Sequence, residues 1–333
     1  MRKDTSPITK IVVPAGGIGG ARFLRGLLRA APEADITVIG NTGDDISLFG
    51  LRVCPDLDTV MYTLGGGINE EQGWGRADET FSVKEELAGY GVGPDWFGLG
   101  DRDFATHIVR TQMLDAGYPL SAVTEALCER WLGPAGDRRL RLVPMTDDRV
   151  ETHVVITDSE GRRAVHFQEW WVRLRASVPA ESIVAVGAEE AKPAPGVLDA
   201  IAEADAVILP PSNPVVSVGT ILSVPGVRSA LAEKTVVGIS PIIGGAPVRG
   251  MADACLTAIG VETSARAVAA HYGPELLDGW LVDTADAADA ADTPVPGTKI
   301  LGTTVRARPL LMTDLAATTD IAQAALDLAA DLR

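Results

Sequence analysis

The stretch "IVVPAGGIGGARFLRGL" at residues 11–27 decides the fold of this chain. A short apolar run leads into a cluster of glycines, and apolar residues then recur at helical spacing. A strand, a glycine turn and a helix in this order open a βαβ unit. The free backbone N–H groups and the positive end of the helix favour an anion, typically a phosphate. The glycines of this turn are Gly16, Gly17, Gly19 and Gly20.

The same turn meets the dinucleotide fingerprint only in part. Gly17 and Gly19 fit G-x-G, but Arg22 stands at the third glycine position. The second predicted strand is followed by Asn41, where an NAD site usually carries an acidic residue for the ribose. An NAD-dependent oxidoreductase is therefore disfavoured. A tight turn with a purely structural role remains the alternative to phosphate binding.

Apolar runs suited to buried parallel strands recur along the chain, and helical patterns fill the long intervals between them. This alternation predicts an α/β fold with a doubly wound, mostly parallel, Rossmann-like sheet. The segment 140–172 alternates Thr, Val and His residues, which indicates a few antiparallel strands added to the sheet. The predicted parallel strands are 10–15, 36–40, 182–188, 205–211 and 235–241.

Residues 56–132 carry little strand signal and several helical patterns. We therefore expect an inserted helical subdomain at 56–132 and a nucleotide-binding core formed by 1–55 and 133–333. Near the C-terminus, the Ala/Asp-rich segment 284–293 predicts a surface loop. Thr313 is the expected N-cap of a terminal helix.

Charge and cysteine usage narrow the class of protein. The net charge of −16 disfavours a nucleic-acid or anionic-membrane surface. An anionic small molecule remains compatible, with a divalent metal as a helper. The three cysteines have no zinc or disulfide spacing, and no apolar run approaches about 18 residues. We therefore expect a cytoplasmic protein with small-molecule substrates.

Two pairs of aspartates follow the second predicted strand. Asp44 and Asp45 lie directly after it, and Asp56 and Asp58 begin the next helical pattern. Adjacent carboxylates repel each other, and magnesium is a hard cation that binds such oxygen ligands. The alternatives are an acidic turn for the first pair and helix N-capping by Asp56. Asp58 is therefore the better candidate for binding a hydroxylated ligand.

Further polar residues occupy a helix start and two turns. Asp103 and His107 lie on one face of the predicted helix and are candidate site residues. The alternative is a capped helix start with surface ion pairs. Rigid polar turns follow two predicted strands, at the sheet edge where ligands gather. In the pair Trp170–Trp171, alternation along a strand would bury one ring and leave the other free to stack on a ligand. The residues of the two turns are Ser212, Asn213, Pro214, Gly244, Gly245, Arg249 and Asp253.

Together these motifs resemble the 2-phospho-L-lactate transferase family of coenzyme F-420 biosynthesis. The resemblance spans nearly the whole chain, and "YTLGGG" and "HFQEWWVR" are most similar to the actinobacterial, phosphoenolpyruvate-using form. The segments that carry it are "AGGIGGARFLRG", "NTGDD", "CPDLDT", "LGDRDFATHIVRTQML", "MTDD", "HFQEWWV", "PSNPVVSVGTIL" and "SPIIGGAPVRGMAD".

The resemblance implies a magnesium-dependent phosphotransferase that acts as a homodimer. The implied donor is enolpyruvyl- or lactyl-diphospho-5′-guanosine, and the implied acceptor is the deazaflavin Fo. The terminal hydroxyl of the Fo ribityl chain attacks the phosphorus that carries the three-carbon acid, and GMP leaves. The product is dehydro-F-420-0 from the enolpyruvyl donor or F-420-0 from the lactyl donor.

The resemblance also implies residue roles. Asp45 orients or deprotonates the attacking hydroxyl, and magnesium binds Asp45 with Asp44 or Asp253. Gly98 offers Fo only its backbone, where some relatives carry a charged side chain. Fo is expected to contact Asp56, Asp58, Gly98, Asp101, Asp103 and His107. The GDP part of the donor is expected to contact Gly16, Gly17, Gly19, Gly20, Arg22, Ser212, Asn213, Pro214, Gly244 and Arg249.

One non-enzymatic alternative belongs to the same superfamily, namely a nucleotide-sugar-binding regulator. The "PDLDT" and "LGDRD" segments favour the transferase. The sequence leaves open whether the transferred group is enolpyruvyl or lactyl.

Overall fold

Seven parallel strands form the central sheet of the computed structural model, which describes residues 6–133, 139–288 and 303–333. Their order across the sheet is β14–β13–β10–β9–β1–β2–β5. The predicted α/β fold with a mostly parallel sheet is confirmed. The seven strands are β1 (Lys10–Ala15), β2 (Asp35–Gly40), β5 (Leu140–Pro144), β9 (Ala206–Leu209), β10 (Val236–Ile239), β13 (Gly279–Val282) and β14 (Thr304–Ala307).

The remaining strands form small antiparallel sheets beside the central one. Two short hairpins pair β3 with β4 and β11 with β12, and a three-stranded sheet has the order β7–β6–β8. These strands are β3 (Ile46–Leu48), β4 (Leu51–Val53), β6 (Glu151–Asp158), β7 (Gly161–His166), β8 (Ala180–Val186), β11 (Ile242–Ile243) and β12 (Ala246–Pro247).

Helices fill the intervals between the strands of the central sheet. Four of them, α2 to α5, lie between β4 and β5, in the region predicted to be helical. In the described ranges, no helix combines the length and apolarity needed to cross a membrane. The helices are α1 (Gly17–Ala30), α2 (Pro55–Leu64), α3 (Ser82–Gly89), α4 (Asp101–Asp115), α5 (Leu120–Leu132), α6 (Val197–Glu203), α7 (Val218–Ser223), α8 (Val227–Ala232), α9 (Ala252–Ala258), α10 (Ala265–Tyr272) and α11 (Leu315–Leu332).

The core lies on both faces of the central sheet. On one face α1 packs against α11 and buries Phe23, Leu24 and Leu27 completely. Burial of each such side chain stabilises the fold by about 2 kcal/mol. Gly26 lets the two helices approach, since a Cβ there would lie 2.5 Å from the Thr318 carbonyl oxygen. The other face packs against α6, α7 and α8.

Two strand assignments from the sequence are wrong. Residues 182–188 do not join the parallel sheet, because β8 pairs antiparallel with β6 and has one solvent-facing side. Val184 and Val186 are 49% and 52% exposed, so the apolar run there does not reflect burial on both faces. Conversely, β5 belongs to the segment predicted to be antiparallel but pairs parallel with β2.

Two further predictions, on the tryptophan pair and on the start of the C-terminal helix, also need correction. The residues around Trp170–Trp171 form a π-helical turn, Glu169–Arg173, instead of a strand. The N-cap of α11 is Asp314 instead of Thr313, because the Asp314 carboxylate accepts a hydrogen bond from the Ala317 N–H. Of the predicted loop 284–293, Thr284–Asp286 is a short 3₁₀ turn, and the part beyond residue 288 lies outside the described residues.

The strand order reverses between β1 and β9. From β1 the chain builds β2 and β5 on one side, and β9, β10, β13 and β14 on the other. In open α/β sheets the loops diverge at such a switch point and leave a crevice for ligands at the carboxyl ends of the strands. The glycine turn after β1 and the turn after β9 both lie at this point.

Candidate active site

A cavity of about 670 Å³ opens at the switch point. Its floor is the glycine turn and the first turn of α2, and its sides come from the loops after β7, β9, β10 and β14. This volume falls in the range of small-molecule binding sites. The cavity is therefore the candidate active site, and it includes Gly16, Gly17, Gly19, Arg22, Asp44, Asp56, Gly98, Ser212, Asn213 and Arg249.

The glycine turn allows three loops to meet. Gly17 begins α1 with a positive φ of 66°, which glycine adopts without strain. A Cβ at Gly16 would lie 2.4 Å from Asp56 Oδ2, and a Cβ at Gly19 would lie 2.4 Å from the Pro211 carbonyl oxygen. Ser212 Oγ donates to the Gly16 carbonyl oxygen at 2.8 Å. The glycines thus have a packing role and also leave the backbone accessible to a ligand.

Asp44 and Asp56 bring two carboxylates to the cavity. Neither forms an ion pair within the described ranges, and Asp44 Oδ1 is buried without a hydrogen-bond partner. Burial, followed by the charges of Asp56 and Asp45, holds the pKa of Asp44 well above its usual value. Burial also raises the pKa of Asp56 to about 6, although Asn41 Nδ2 donates to its Oδ2 at 2.8 Å. This side of the cavity is rich in uncompensated negative charge.

Asp45 points away from the cavity. Its Oδ2 accepts hydrogen bonds from Arg52 Nη2 and from Cys54 Sγ, each at 3.0 Å. Its carbonyl oxygen lies 3.2 Å from His166 Nε2. Burial raises the pKa of Asp45 to about 6, and the Arg52 charge opposes that rise. Asp45 therefore follows Asp44 directly in sequence, but its carboxylate forms an internal ion pair with Arg52.

Asp58 forms a second internal ion pair, with Arg110. Arg110 Nη1 donates to Asp58 Oδ2 at 3.0 Å, and Arg110 Nη2 contacts Asp58 Oδ1. His107 joins this group, because its Nδ1 lies 3.1 Å from Arg110 Nη1. Burial lowers the pKa of His107 to about 4, so the imidazole is neutral. The structure thus brings together Asp58 and His107, both expected in the acceptor site, but in the layer beneath the cavity.

Polar atoms without partners cluster in this layer. His107 Nε2, Arg110 Nε and Asp103 Oδ1 are buried and have no hydrogen-bond partner among the described residues. Burial, and then the charge of Asp58, raises the pKa of Asp103 to about 7. Buried polar groups are usually paired, so orphaned ones indicate a missing water or ligand.

Asp101 is engaged elsewhere. Its carboxylate accepts hydrogen bonds from the Val83 N–H at 2.9 Å and from the Ser82 N–H at 3.1 Å, which caps α3. In return, Glu79 accepts from the Arg102 N–H at 2.8 Å and caps α4. This reciprocal capping accounts for Asp101 at the start of α4 without a ligand.

Two guanidinium groups line the same cavity as the carboxylates. Arg22 and Arg249 both line it, and the described residues place no carboxylate within ion-pair distance of either. Burial, and then the charge of Arg249, lowers the pKa of Arg22, so the two cations are close enough to repel. Two adjacent unpaired arginines beside a glycine turn are typical of an anion site.

The polar side chains of the two proline-framed turns mostly stabilise those turns. Asn213 Oδ1 accepts from the N–H groups of Val215 and Val216 at 2.9 and 3.2 Å. Gly244 donates its N–H to Asp286 Oδ2 at 3.0 Å and lies outside the cavity lining. Asp253 is exposed and is not near Asp44 and Asp45 in a metal-binding group. The predicted residues outside the lining are Gly20, Asp45, Asp58, Asp101, Asp103, His107, Pro214, Gly244 and Asp253.

Sequence reasoning missed most of the apolar wall of the cavity. Phe167 and Trp171 are nearly parallel, with ring centroids 6.4 Å apart, and both line the site. Of the tryptophan pair, Trp170 is buried and Trp171 lines the cavity. The sequence predicted one buried and one free ring from alternation along a strand, whereas the segment is a π-helical turn. Trp74 and the segment 310–313 also line the site, and no pattern in the sequence identifies them.

Comparison with known proteins gives close relatives. A family model described as 2-phospho-L-lactate transferase CofD matches residues 11–295. A phosphoenolpyruvate transferase from Streptomyces coelicolor is 71% identical over 326 residues and covers 97% of this chain and 99% of its own. One from Thermobifida fusca is 70% identical over 332 residues, with coverage of 97% and 99%.

The fold is also similar to that of a solved structure. Protein BH3568 from Bacillus halodurans has a TM-score of 0.61 to this chain at 19% identity, and the match covers 96% of this chain and 99% of that one. A second structure of BH3568, described as a member of the UPF0052 family, gives a TM-score of 0.58. At this identity the likeness shows the fold alone.

Proposed function

The chain belongs to the 2-phospho-L-lactate transferase CofD family and is a transferase, and we propose that it transfers a phosphoenolpyruvyl or phospholactyl group to the deazaflavin Fo. The proposed donor is the matching guanosine diphosphate ester, and GMP is the leaving group. The two close relatives are named phosphoenolpyruvate transferases, which supports the enolpyruvyl form. The family predicted from the sequence motifs is confirmed.

One observation carries the proposal, namely that one cavity combines carboxylates with unpaired arginines. Asp44 and Asp56 line it together with the glycine turn, Arg22 and Arg249. Phosphoryl transfer depends on positioning and on neutralised charge more than on a nucleophile from the protein. A site with unpaired cations, accessible backbone and two carboxylates has the groups that this reaction needs.

Magnesium is the cation that we propose for the carboxylate pair. The orphaned Asp44 Oδ1 is an oxygen ligand of the kind magnesium prefers, and the Asp56 carboxylate lies beside the glycine turn. The described ranges contain no group of three or more His, Cys, Asp or Glu side chains suited to a metal. Magnesium is commonly held by one or two carboxylates together with substrate phosphates, so two aspartates suffice. When bound, magnesium would neutralise phosphate charge.

The position of Asp56 gives a physical reason for a cation. A phosphate at the N-terminus of α1 would meet the Asp56 carboxylate, which approaches Gly16 closely. Two anions at this distance repel each other unless a cation lies between them. The carboxylate pair and the glycine turn therefore favour a magnesium-bound diphosphate over a free one.

Donor and acceptor occupy different parts of the site in this proposal. The diphosphate lies against the glycine turn, Arg22 and Arg249. Fo enters from the side of Gly98 and the aromatic wall, above the Asp58–Arg110 layer with its unpartnered polar atoms. This buried layer supports the acceptor side of the site without lining the cavity.

The chemical step forms one phosphorus–oxygen bond and breaks another. The terminal hydroxyl of Fo attacks the phosphorus that carries the three-carbon acid, and the bond to the GMP oxygen breaks. We assign the proton of the hydroxyl to the Asp44 carboxylate, because it lines the cavity and has no ion-pair partner among the described residues. The alternative, Asp45, has its Oδ2 engaged by Arg52 and Cys54. Arg22 and Arg249 stabilise the charge that develops on the leaving phosphate.

The direct test is turnover with defined substrates. The purified protein is incubated with magnesium, Fo and either enolpyruvyl- or lactyl-diphospho-5′-guanosine, and GMP release and product mass are measured. We expect GMP in equal amount to the F-420-type product, and no turnover in EDTA. The two products differ by a pair of hydrogens, so their masses identify the group transferred.

Binding measurements separate the remaining alternative. A protein that binds a guanosine diphosphate compound but neither binds Fo nor releases GMP would be a nucleotide-binding regulator instead. We also propose a cytoplasmic homodimer, and the exposed rings of Phe81, Tyr90 and Tyr118 beside α3 and α4 are compatible with a subunit contact. Sedimentation of the purified chain measures its mass directly.

A further inference from the structure

The segment from His166 to Arg173 is held firmly against the cavity. At its start, His166 Nε2 faces the Asp45 carbonyl oxygen at 3.2 Å, and His166 Nδ1 accepts from the Gln168 N–H at 3.1 Å. Further on, the buried Trp170 donates its indole N–H to the Val178 carbonyl oxygen at 2.8 Å. The backbone of this segment is therefore fixed at both ends.

A π-helical turn in this segment determines which of its side chains line the cavity. Leu174 donates its N–H to the Glu169 carbonyl oxygen at 3.0 Å, which is the i to i+5 pattern. Such turns are rare and frequent at functional sites. The wide turn brings four side chains to one surface, and all of them line the cavity: Phe167, Gln168, Trp171 and Val172.

Gln168 is the polar member of that surface. It is 7% exposed, and its carboxamide has no hydrogen-bond partner among the described residues. Its flanking rings, Phe167 and Trp171, are nearly parallel. A buried carboxamide between aromatic side chains presents one donor and one acceptor toward the cavity. Because Gln168 lines the cavity, a bound ligand can take the place of water as the hydrogen-bond partner of its carboxamide.

We propose that Gln168 is a specificity-determining residue that binds the lactam edge of a planar heterocycle resting against the aromatic wall. A lactam presents C=O and N–H side by side, which matches the NH₂ and C=O of a carboxamide. Guanine and the dione ring of a deazaflavin both carry this edge, and the identity of these two candidates rests on the proposed function. Adenine lacks the lactam, but its N6–H₂ beside N1 or N7 also pairs with a carboxamide. The unsubstituted purine ring has neither group and serves as the discriminating ligand.

The test measures dissociation constants of GDP, purine riboside 5′-diphosphate and Fo for the full chain and for Gln168→Met, which keeps the length of the side chain and removes its hydrogen bonds. Gln112→Met is the matched control, because Gln112 lies exposed on α4 outside the cavity. We expect Gln168→Met to raise the Kd of one lactam ligand about tenfold, with the Kd of purine riboside 5′-diphosphate unchanged. Weaker GDP binding assigns the edge to guanine, and weaker Fo binding assigns it to the deazaflavin.

Three results would overturn the inference. Values for GDP and Fo within about twofold of wild type would show that the carboxamide makes no contact. Equal weakening of GDP, Fo and purine riboside 5′-diphosphate would indicate a disturbed turn, which thermal unfolding of both variants checks independently. Failure of the wild-type protein to bind GDP and Fo would overturn the proposed function as well, whereas the first two results leave it intact.

Discussion

Two pairs of aspartates from the same two motifs have opposite environments. Asp44 and Asp56 line the cavity without a cationic partner, whereas Asp45 and Asp58 are paired internally with arginines. The first pair is the cation site that we propose, and the second is part of the scaffold around it. Residue type alone therefore does not separate chemistry from architecture, but the partners of each carboxylate do.

Loss of a cavity-facing carboxylate should have the largest effect. We expect Asp44→Asn to lower kcat about a thousandfold, because it removes the proposed proton acceptor and a magnesium ligand. Steady-state assays of GMP release measure this. The fold should be unaffected or slightly stabilised, since a buried negative charge is removed. Near-normal kcat in the variant would contradict the assignment of Asp44.

Breaking an internal pair should instead lower stability. Arg110→Met leaves the Asp58 carboxylate buried without its partner, and we expect a loss of about 3 kcal/mol in the free energy of unfolding. Urea denaturation followed by circular dichroism measures it. The double variant Arg110→Met/Asp58→Leu serves as the control, because it removes both charges and should recover part of the loss. A single variant as stable as wild type would show that the pair is not structural.

The pH dependence of stability should distinguish Asp56 from a paired aspartate. Its pKa is raised to about 6 in the folded state, so it favours folding below about pH 4 and this contribution is lost as the pH rises through about 6. In metal-free protein, Asp56→Asn should therefore be more stable than wild type at pH 8, by on the order of 1–2 kcal/mol, and much less so at pH 4. Thermal unfolding of both proteins at the two pH values measures the difference. A constant difference would mean that the carboxylate is not perturbed.

Asp101 should give the smallest effect. Because its carboxylate caps α3, we expect Asp101→Asn to cost up to about 1 kcal/mol of stability and to change the KM for Fo by less than about twofold. Fo saturation curves test this. A large rise in KM would restore Asp101 to the acceptor site that the sequence resemblance implied.

Much of the site's location follows from the sequence. A glycine turn after the first strand and polar turns after later strands must meet at the carboxyl edge of a parallel sheet. That Asp56 and Asp58 point in different directions also follows from α2, since residues two positions apart in a helix point about 200° apart. The sequence favoured Asp58 as the ligand-facing member, whereas Asp56 lines the cavity and Asp58 pairs with Arg110. The sequence does not predict that Asp44 lines the cavity while Asp45 is paired internally. This difference depends on the β3–β4 hairpin, which brings Arg52 and Cys54 to the Asp45 carboxylate.

Other features depend on tertiary structure alone. The run at 182–188 has a strand pattern, but its pairing partner is decided by the β6–β7 hairpin beside it. The sequence "HFQEWWVR" has enough aromatic residues to suggest a strand, whereas packing of Trp170 into the core favours a π-helical turn. Arg22 is visible in the sequence, but its unpaired state beside Arg249 is a property of the fold.

Magnesium titration of wild type and three single variants, with calorimetric detection and GDP present, tests the central distinction most directly. If the cavity-facing pair holds the cation, Asp44→Asn and Asp56→Asn lose most magnesium binding, while Asp45→Asn retains it. Loss of binding in Asp45→Asn, with retention in the other two, would contradict the account and return the metal to the internal aspartate.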